Sequence, residues 1–256
     1  MLLAHGFGCD QSMWRHLIPA FENEYRLVLF DHVGHGGADA SAFDPKRYAT
    51  LDGYADDILG ICESLAIQDA VFVGHSVSCM IGILAAHKKP QRFGALVLIG
   101  PSPRYVNEGE YVGGFTREDI DGLLDFLDSN FLGWSSTMAP VIMGNPERPA
   151  LSEELSNSFC RTDPQIAKHF ARVTFLSDNR ADLPGVQVPT LIMQCSQDAI
   201  APEVVGRYLQ ARIPDSTFVQ LRATGHCPHL SEPEETVAEI RAFLATLALP
   251  ISGAAR

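Results

Sequence analysis

Residues 71–78 read Val71-Phe72-Val73-Gly74-His75-Ser76-Val77-Ser78, an apolar run that ends in a Gly-x-Ser-x-small turn and passes at once into an apolar helical stretch ending near Pro90. A serine on a sharp strand-to-helix turn is held out at the edge of a sheet, and its neighbours must be small so that the backbones can approach. Gly74 and Ser78 meet that need. Ser78 stands where a glycine is usual; its side chain is small but adds a Cβ and removes freedom at positive φ. That departure weakens the motif without breaking it. A strand feeding a helix in this way points to a mostly parallel sheet wrapped by helices.

The rest of the chain agrees. Short apolar runs at 2–4, 26–31, 70–74, 95–100, 190–195 and 217–221 suit strands buried on both faces of a parallel sheet. Residues 50–65 carry apolar side chains at Leu51, Tyr54, Ala55, Ile58, Leu59, Cys62 and Leu65, the stripe of a surface helix. From 102 to 183 apolar residues recur at helical spacing and no strand is evident. The organisation expected is a core of residues 1–102 and 184–249, with a helical lid at 103–183 inserted between two of its strands. A last helix at 234–247 and a frayed tail at 250–256 complete it. A chain of 256 residues, 46% of them apolar, can bury one large core with a subordinate cap.

A serine hydroxyl is a poor nucleophile at neutral pH; it needs a base, and the base needs a carboxylate to fix its tautomer. The run at 191–195 ends in Ser196-Gln197-Asp198, and the run at 217–221 is followed by Ala223-Thr224-Gly225-His226. The chain order Ser76, Asp198, His226 is the order used with this type of turn, and residues just beyond the carboxyl ends of strands meet in one crevice. Asp215 and Asp178 are alternative carboxylates, and His229 is an alternative base. The backbone N–H of Val77, after the nucleophile, and that of Phe7, in the glycine-flanked turn His5-Gly6-Phe7-Gly8, are the expected oxyanion donors. Cys227 reads as a small buried residue. His32 and His35 have no Cys or carboxylate at ligand spacing, so a loop role is expected and no metal site. No cofactor is needed for this chemistry.

The formal net charge of −12 and the absence of a basic patch argue against nucleic acid as a partner; the Lys88-Lys89 pair reads as a solvated helix end. No apolar run approaches the length of a membrane span, and the first residues lack the pattern of a secretory signal. Six cysteines, Cys9, Cys62, Cys79, Cys160, Cys195 and Cys227, form no C-x-x-C pair, so free thiols in a cytoplasmic protein are expected.

Beyond the elbow, the chain carries His5-Gly6-Phe7-Gly8-Cys9-Asp10-Gln11-Ser12, Tyr48, Leu51-Asp52-Gly53-Tyr54 and Gly100-Pro101-Ser102-Pro103-Arg104-Tyr105. It also carries Gly113-Gly114-Phe115 and Ser177-Asp178. These residues resemble one branch of the α/β-hydrolases, the bacterial stress-response (sigma-B regulator) hydrolase and the plant karrikin and strigolactone receptor hydrolases. The resemblance covers nearly the whole chain. It implies the α/β-hydrolase fold with a four-helix lid, the trio Ser76, Asp198 and His226, and a closed apolar pocket for a small hydrophobic ester or lactone. Matched position by position, it places Phe7, Tyr105, Phe115, Leu123, Met138, Phe159, Phe175 and Ile200 in that pocket. The family begins about twenty residues earlier, with two strands more than this chain shows; either the chain is truncated, or the sheet is shorter and the run at 26–31 is left as an exposed edge for pairing in a homodimer.

The expected activity is that of a serine carboxylesterase acting on small apolar esters or lactones through an acyl-enzyme. The alternative is a small-molecule-sensing signalling protein with a protein partner and slow or incidental hydrolysis.

Overall fold

The computed structural model describes residues 1–247, so the end of the expected core segment and the tail at 250–256 lie outside the described residues. Six strands form the sheet: β1 (Leu2–Ala4), β2 (Val28–Phe30), β3 (Ala70–His75), β4 (Phe93–Ile99), β5 (Thr190–Gln197) and β6 (Ser216–Thr224). The helices outside the β4–β5 connection are α1 (Ile18–Phe21), α2 (Leu51–Ser64) and α3 (Val77–Lys88) before it. Inside that connection lie α4 (Arg117–Ser129), α5 (Phe131–Met143), α6 (Pro149–Arg161) and α7 (Pro164–Phe175). After it come α8 (Glu203–Gln210), α9 (Pro228–Ser231) and α10 (Pro233–Thr246). All neighbouring strands are parallel, in the order β2-β1-β3-β4-β5-β6.

Alternation along the strands divides the core in two. Leu3, Val71, Val73, Val97, Leu191 and Met193 face one layer, with Trp14, Phe21, Ile240 and Phe243 packed on them. Leu2, Ala4, Phe72, Leu96, Leu98 and Ile192 face the other, with Tyr54, Ile58, Met80, Ile83, Val205 and Leu209 packed on them. Adjacent residues of a strand point to opposite faces, and because helices cover both faces, neither set reaches solvent. α2 starts where its cap dictates: the Thr50 side chain accepts from the Asp52 N–H, and Asp52 in the first turn suits the helix dipole. Among the described residues β2 pairs only with β1, at the end of the strand order, and carries partly exposed apolar residues.

The inserted helices begin later than the apolar periodicity alone implied. Residues before α4 form a looped segment closed by isolated bridges between Val106 and Phe115 and between Glu108 and Tyr111. The first lid helix then opens at a capping box in which Thr116 and Asp119 satisfy each other's backbone N–H groups. The lid is fastened to the core by polar contacts at its rim. Arg15 makes a two-pronged pair with Glu154 of α6, and Arg161 of α6 reaches Asp10 at 2.7 Å. His169 of α7 bonds the Tyr48 carbonyl at 2.8 Å. No helix among the described residues is long and apolar enough to cross a membrane.

Candidate active site

The turn after β3 is as tight as its sequence demands. Ser76 has φ 57° and ψ −125°, a strained conformation for a residue with a side chain, and it caps α3. Strain of this kind costs on the order of 1–3 kcal/mol and persists only where the surroundings hold it. Here they do: the Ser76 N–H bonds the Ile99 carbonyl at 2.8 Å, and a Cβ on Gly74 would lie 2.8 Å from the Ser78 carbonyl oxygen. Only glycine at position 74 lets strand and helix pass this closely.

Two distant loops converge on Ser76. His226 Nε2 lies 2.9 Å from Ser76 Oγ, and His226 Nδ1 lies 2.7 Å from Asp198 Oδ2. The other oxygen of Asp198 accepts the N–H groups of Ile200 at 2.8 Å and Ala201 at 3.1 Å, so the carboxylate is held at both ends. With Nδ1–H donated to Asp198, His226 presents a lone pair on Nε2 to the hydroxyl. The loop carrying His226 is anchored to the lid. The His226 N–H donates to the Ile142 carbonyl of α5 at 2.8 Å, and the preceding Gly225 sits at φ 78°, where a Cβ would fall 1.8 Å from the Met143 carbonyl oxygen.

The alternatives are separated by this geometry. Asp178 is engaged by Arg104 and Arg180 at the lid rim, and Asp215 lies at the start of β6, where its carbonyl accepts from Thr190. His229 makes no hydrogen bond; it is buried between Trp14 and His75, with ring centroids at 4.7 and 4.5 Å, and burial pushes its pKa down to about 3. His75 bonds the His226 carbonyl at 2.8 Å through Nε2 and so props the His226 loop. Cys227 is wholly buried, and burial pushes its thiol well up, which leaves it a packing residue.

The Gly6-Phe7 turn is clamped to the elbow through Ser78, the residue that departs from the usual motif. Its hydroxyl donates to the His5 carbonyl at 2.5 Å and faces His32 Nε2 at 2.8 Å. Since the one hydroxyl proton is spent on His5, His32 must donate from Nε2. His5 Nε2 in turn accepts the His32 N–H at 3.0 Å, which leaves its Nδ1–H for the Gly6 carbonyl at 2.8 Å. Both rings are fully buried, and burial lowers their pKa, so the network is built from neutral imidazoles. This is the role of His32, which lies in a loop as its sequence suggested. Among the described residues no group of three or more His, Cys, Asp or Glu is placed to hold a metal ion. Among the described residues the N–H groups of Phe7 and Val77 find no acceptor, and Val77 opens α3, where the helix dipole favours negative charge.

Above Ser76 lies a cavity with about 390 Å³ of empty space, walled mainly by apolar side chains. Phe7, Tyr105, Phe159, Phe175 and Ile200 line it together with Ser76 and His226. Phe115, Leu123 and Met138 are outside this lining; they are partly buried and pack against the surrounding apolar cluster. Cys9, His75, Ile142, Leu155, Thr174 and Cys227 line it instead. Leu155 stands one helical turn before Phe159, and Thr174 adjoins Phe175, so neighbours of expected residues were a usable signal for those two. Burial pushes the Tyr105 hydroxyl above its usual range, and that hydroxyl lies beside Ser76.

Residues 1–240 match the alpha/beta hydrolase family. A probable esterase of Oryza sativa subsp. japonica is 42% identical over 235 residues, covering 91% of this chain and 87% of the relative. A strigolactone esterase of Arabidopsis thaliana is 40% identical over 245 residues (95% and 91%), and a karrikin insensitive 2 receptor of Petunia hybrida is 40% identical over 238 (93% and 88%). Among solved structures, a hydrolase from Oleispira antarctica superposes with a TM-score of 0.93 at 40% identity, covering 95% of this chain and 90% of that one. A serine on a strained strand-to-helix turn, hydrogen-bonded to a histidine and beyond it a carboxylate, over a sequence related from end to end of the sheet, makes this chain a hydrolase belonging to the alpha/beta hydrolase family.

Proposed function

We propose that this protein is a serine carboxylesterase that hydrolyses small, largely apolar esters or lactones through an acyl-enzyme. The observation that carries the reading is the hydrogen-bonded chain from Asp198 through His226 to Ser76, opening into an apolar cavity. Ser76 Oγ attacks the ester carbonyl while His226 Nε2 takes its proton, and Asp198 steadies the imidazolium through Nδ1–H. The oxyanion that forms is received by the N–H groups of Phe7 and Val77 at the positive end of α3. His226 then returns the proton to the leaving alcohol, and in the second half it activates a water that releases the acid. No step calls on a cofactor or a metal. The cavity favours compact apolar substrates because its walls offer no arginine pair or acidic cluster to a charged one.

Initial rates on p-nitrophenyl esters of increasing acyl length test this. Saturable turnover on short chains is expected, with kcat reduced by about 10⁴–10⁶ in Ser76→Ala; equal background rates in both folded proteins would overturn it. A second reading draws on the relatives named as receptors: a small-molecule sensor whose lid engages a signalling partner, with hydrolysis slow. Steady-state turnover distinguishes the two, since the sensor reading expects hydrolysis slow enough to be incidental to binding.

A further inference from the structure

The cavity wall contains a hydroxyl that finds no partner among the described residues. Thr174 lies on α7, is completely buried and lines the cavity, and its Oγ1 has no hydrogen-bond partner. A threonine inside a helix ordinarily turns its hydroxyl to the carbonyl four residues back. Thr174 does not bond Phe170 in that way. Buried polar groups are nearly always satisfied, and an unsatisfied one carries the full cost of its lost hydration. Valine would fill the same space without that cost. The Tyr105 hydroxyl is also without a partner of sound geometry, but it lies beside Ser76, where the reacting ester oxygens arrive. Thr174 stands on a separate element from Ser76, His226 and the Phe7 and Val77 amides, in a wall it shares with the apolar side chains of Phe7, Leu155, Phe159 and Phe175.

We propose that Thr174 is a specificity residue that donates to a second oxygen of the substrate. The pocket then selects compact esters or lactones that carry an ether, keto or further ester oxygen besides the scissile group, and rejects their all-carbon isosteres. A site built to hydrogen-bond a ligand discriminates against the analogue that leaves its polar group unpaired. The proposal rests on the esterase reading for the scissile group, and its test lets the two fail separately.

Two matched pairs serve as probes, each differing by one exchange of CH₂ for oxygen: p-nitrophenyl pentanoate against p-nitrophenyl methoxypropanoate, and butyl acetate against methoxyethyl acetate. The readout is the ratio of kcat/KM within each pair, which cancels differences in overall activity between variants. For at least one pair the preference for the oxygen member falls about tenfold in Thr174→Val, the loss of one neutral hydrogen bond. Thr174→Ala behaves likewise, Thr174→Ser restores the preference, and the change resides in KM. Ratios that stay within about twofold in Thr174→Val and Thr174→Ala, on both pairs, would overturn the proposal. If the native protein turns over none of the four esters, the esterase reading falls. The same ratios are then read as Kd by calorimetry, where unchanged ratios overturn the role of Thr174 and a tenfold change upholds it.

Discussion

Acidification from about pH 7.5 to about pH 5 should remove a large part of this protein's stability, chiefly through its buried histidines, with the Met1 amino group, pushed down to about 6 by burial, acting in the same direction. His35 and His229 are fully buried, and burial, the main cause, pushes each down to about 3; in the unfolded chain each titrates near 6.5. A base whose folded pKa is depressed is neutral in the native state and charged in the unfolded one. The stability linked to it is therefore complete above about pH 6.5 and is lost as pH falls below that value toward 3. At pH 5 the difference amounts to about 1.5 pH units at 1.36 kcal/mol each, or about 2 kcal/mol per histidine and about 4 kcal/mol for the pair. His5, His32 and His75 are shifted in the same direction by burial and deepen the loss. Carboxylates such as Asp178, held low by Arg180, act in a different window, since their contribution is lost only as pH falls below about 4. Against a typical stability of about 5–15 kcal/mol, a loss of about 4 kcal/mol is a large fraction of the whole. Urea unfolding at a series of pH values measures this directly: between pH 6 and 5 the slope should report uptake of at least about two protons. His35→Asn keeps an N–H for the Val33 carbonyl, which His35 Nδ1 engages at 3.1 Å, and should lower that uptake by about one. An unfolding free energy that is flat between pH 7 and 5 would refute the reasoning.

Two further substitutions probe the site's supports. Ser78→Ala leaves the His32 Nε2–H unpaired and frees the His5 carbonyl, which should cost about 1–3 kcal/mol and lower Tm by about 2–12 °C. Because the Gly6-Phe7 turn loses its tie to the elbow, kcat should fall more than KM changes; calorimetry and steady-state rates test both. Gly225→Ala drives a Cβ toward the Met143 carbonyl at a positive φ, so Tm should drop and esterase activity fall with it as the His226 loop is displaced from α5. Retention of both Tm and activity in this variant would show that the loop adapts at little cost.

Much of the architecture was legible along the chain because its signals are local. Strands buried on both faces must be short and apolar, so the runs at 70–74 and 190–195 fell within β3 and β5. The stripe read from Leu51 to Leu65 matched the buried face of α2 as far as Cys62, with Leu59 half-buried, for the same reason, whereas Leu65 lies just past the helix and is exposed. Strand ends followed by Asp198 and His226 were visible as candidates, since both residues sit just past an apolar run. Their selection over Asp178, Asp215 and His229 required the convergence of segments 28 and 150 residues apart, which no local pattern encodes. Ser78 shows the same limit from the other side: in sequence it weakens a motif, whereas in space its hydroxyl joins His5 and His32. For the lid, periodicity told which side of each helix is apolar but not which apolar residue meets the cavity and which meets a neighbouring helix. Phe115, Leu123 and Met138 went to the packing and Leu155, Ile142 and Thr174 to the cavity wall. Element identity follows from period and turn chemistry, which are properties of a few adjacent residues. The partners of a hydroxyl or the wall of a pocket depend on how distant surfaces meet, and only the folded chain decides that.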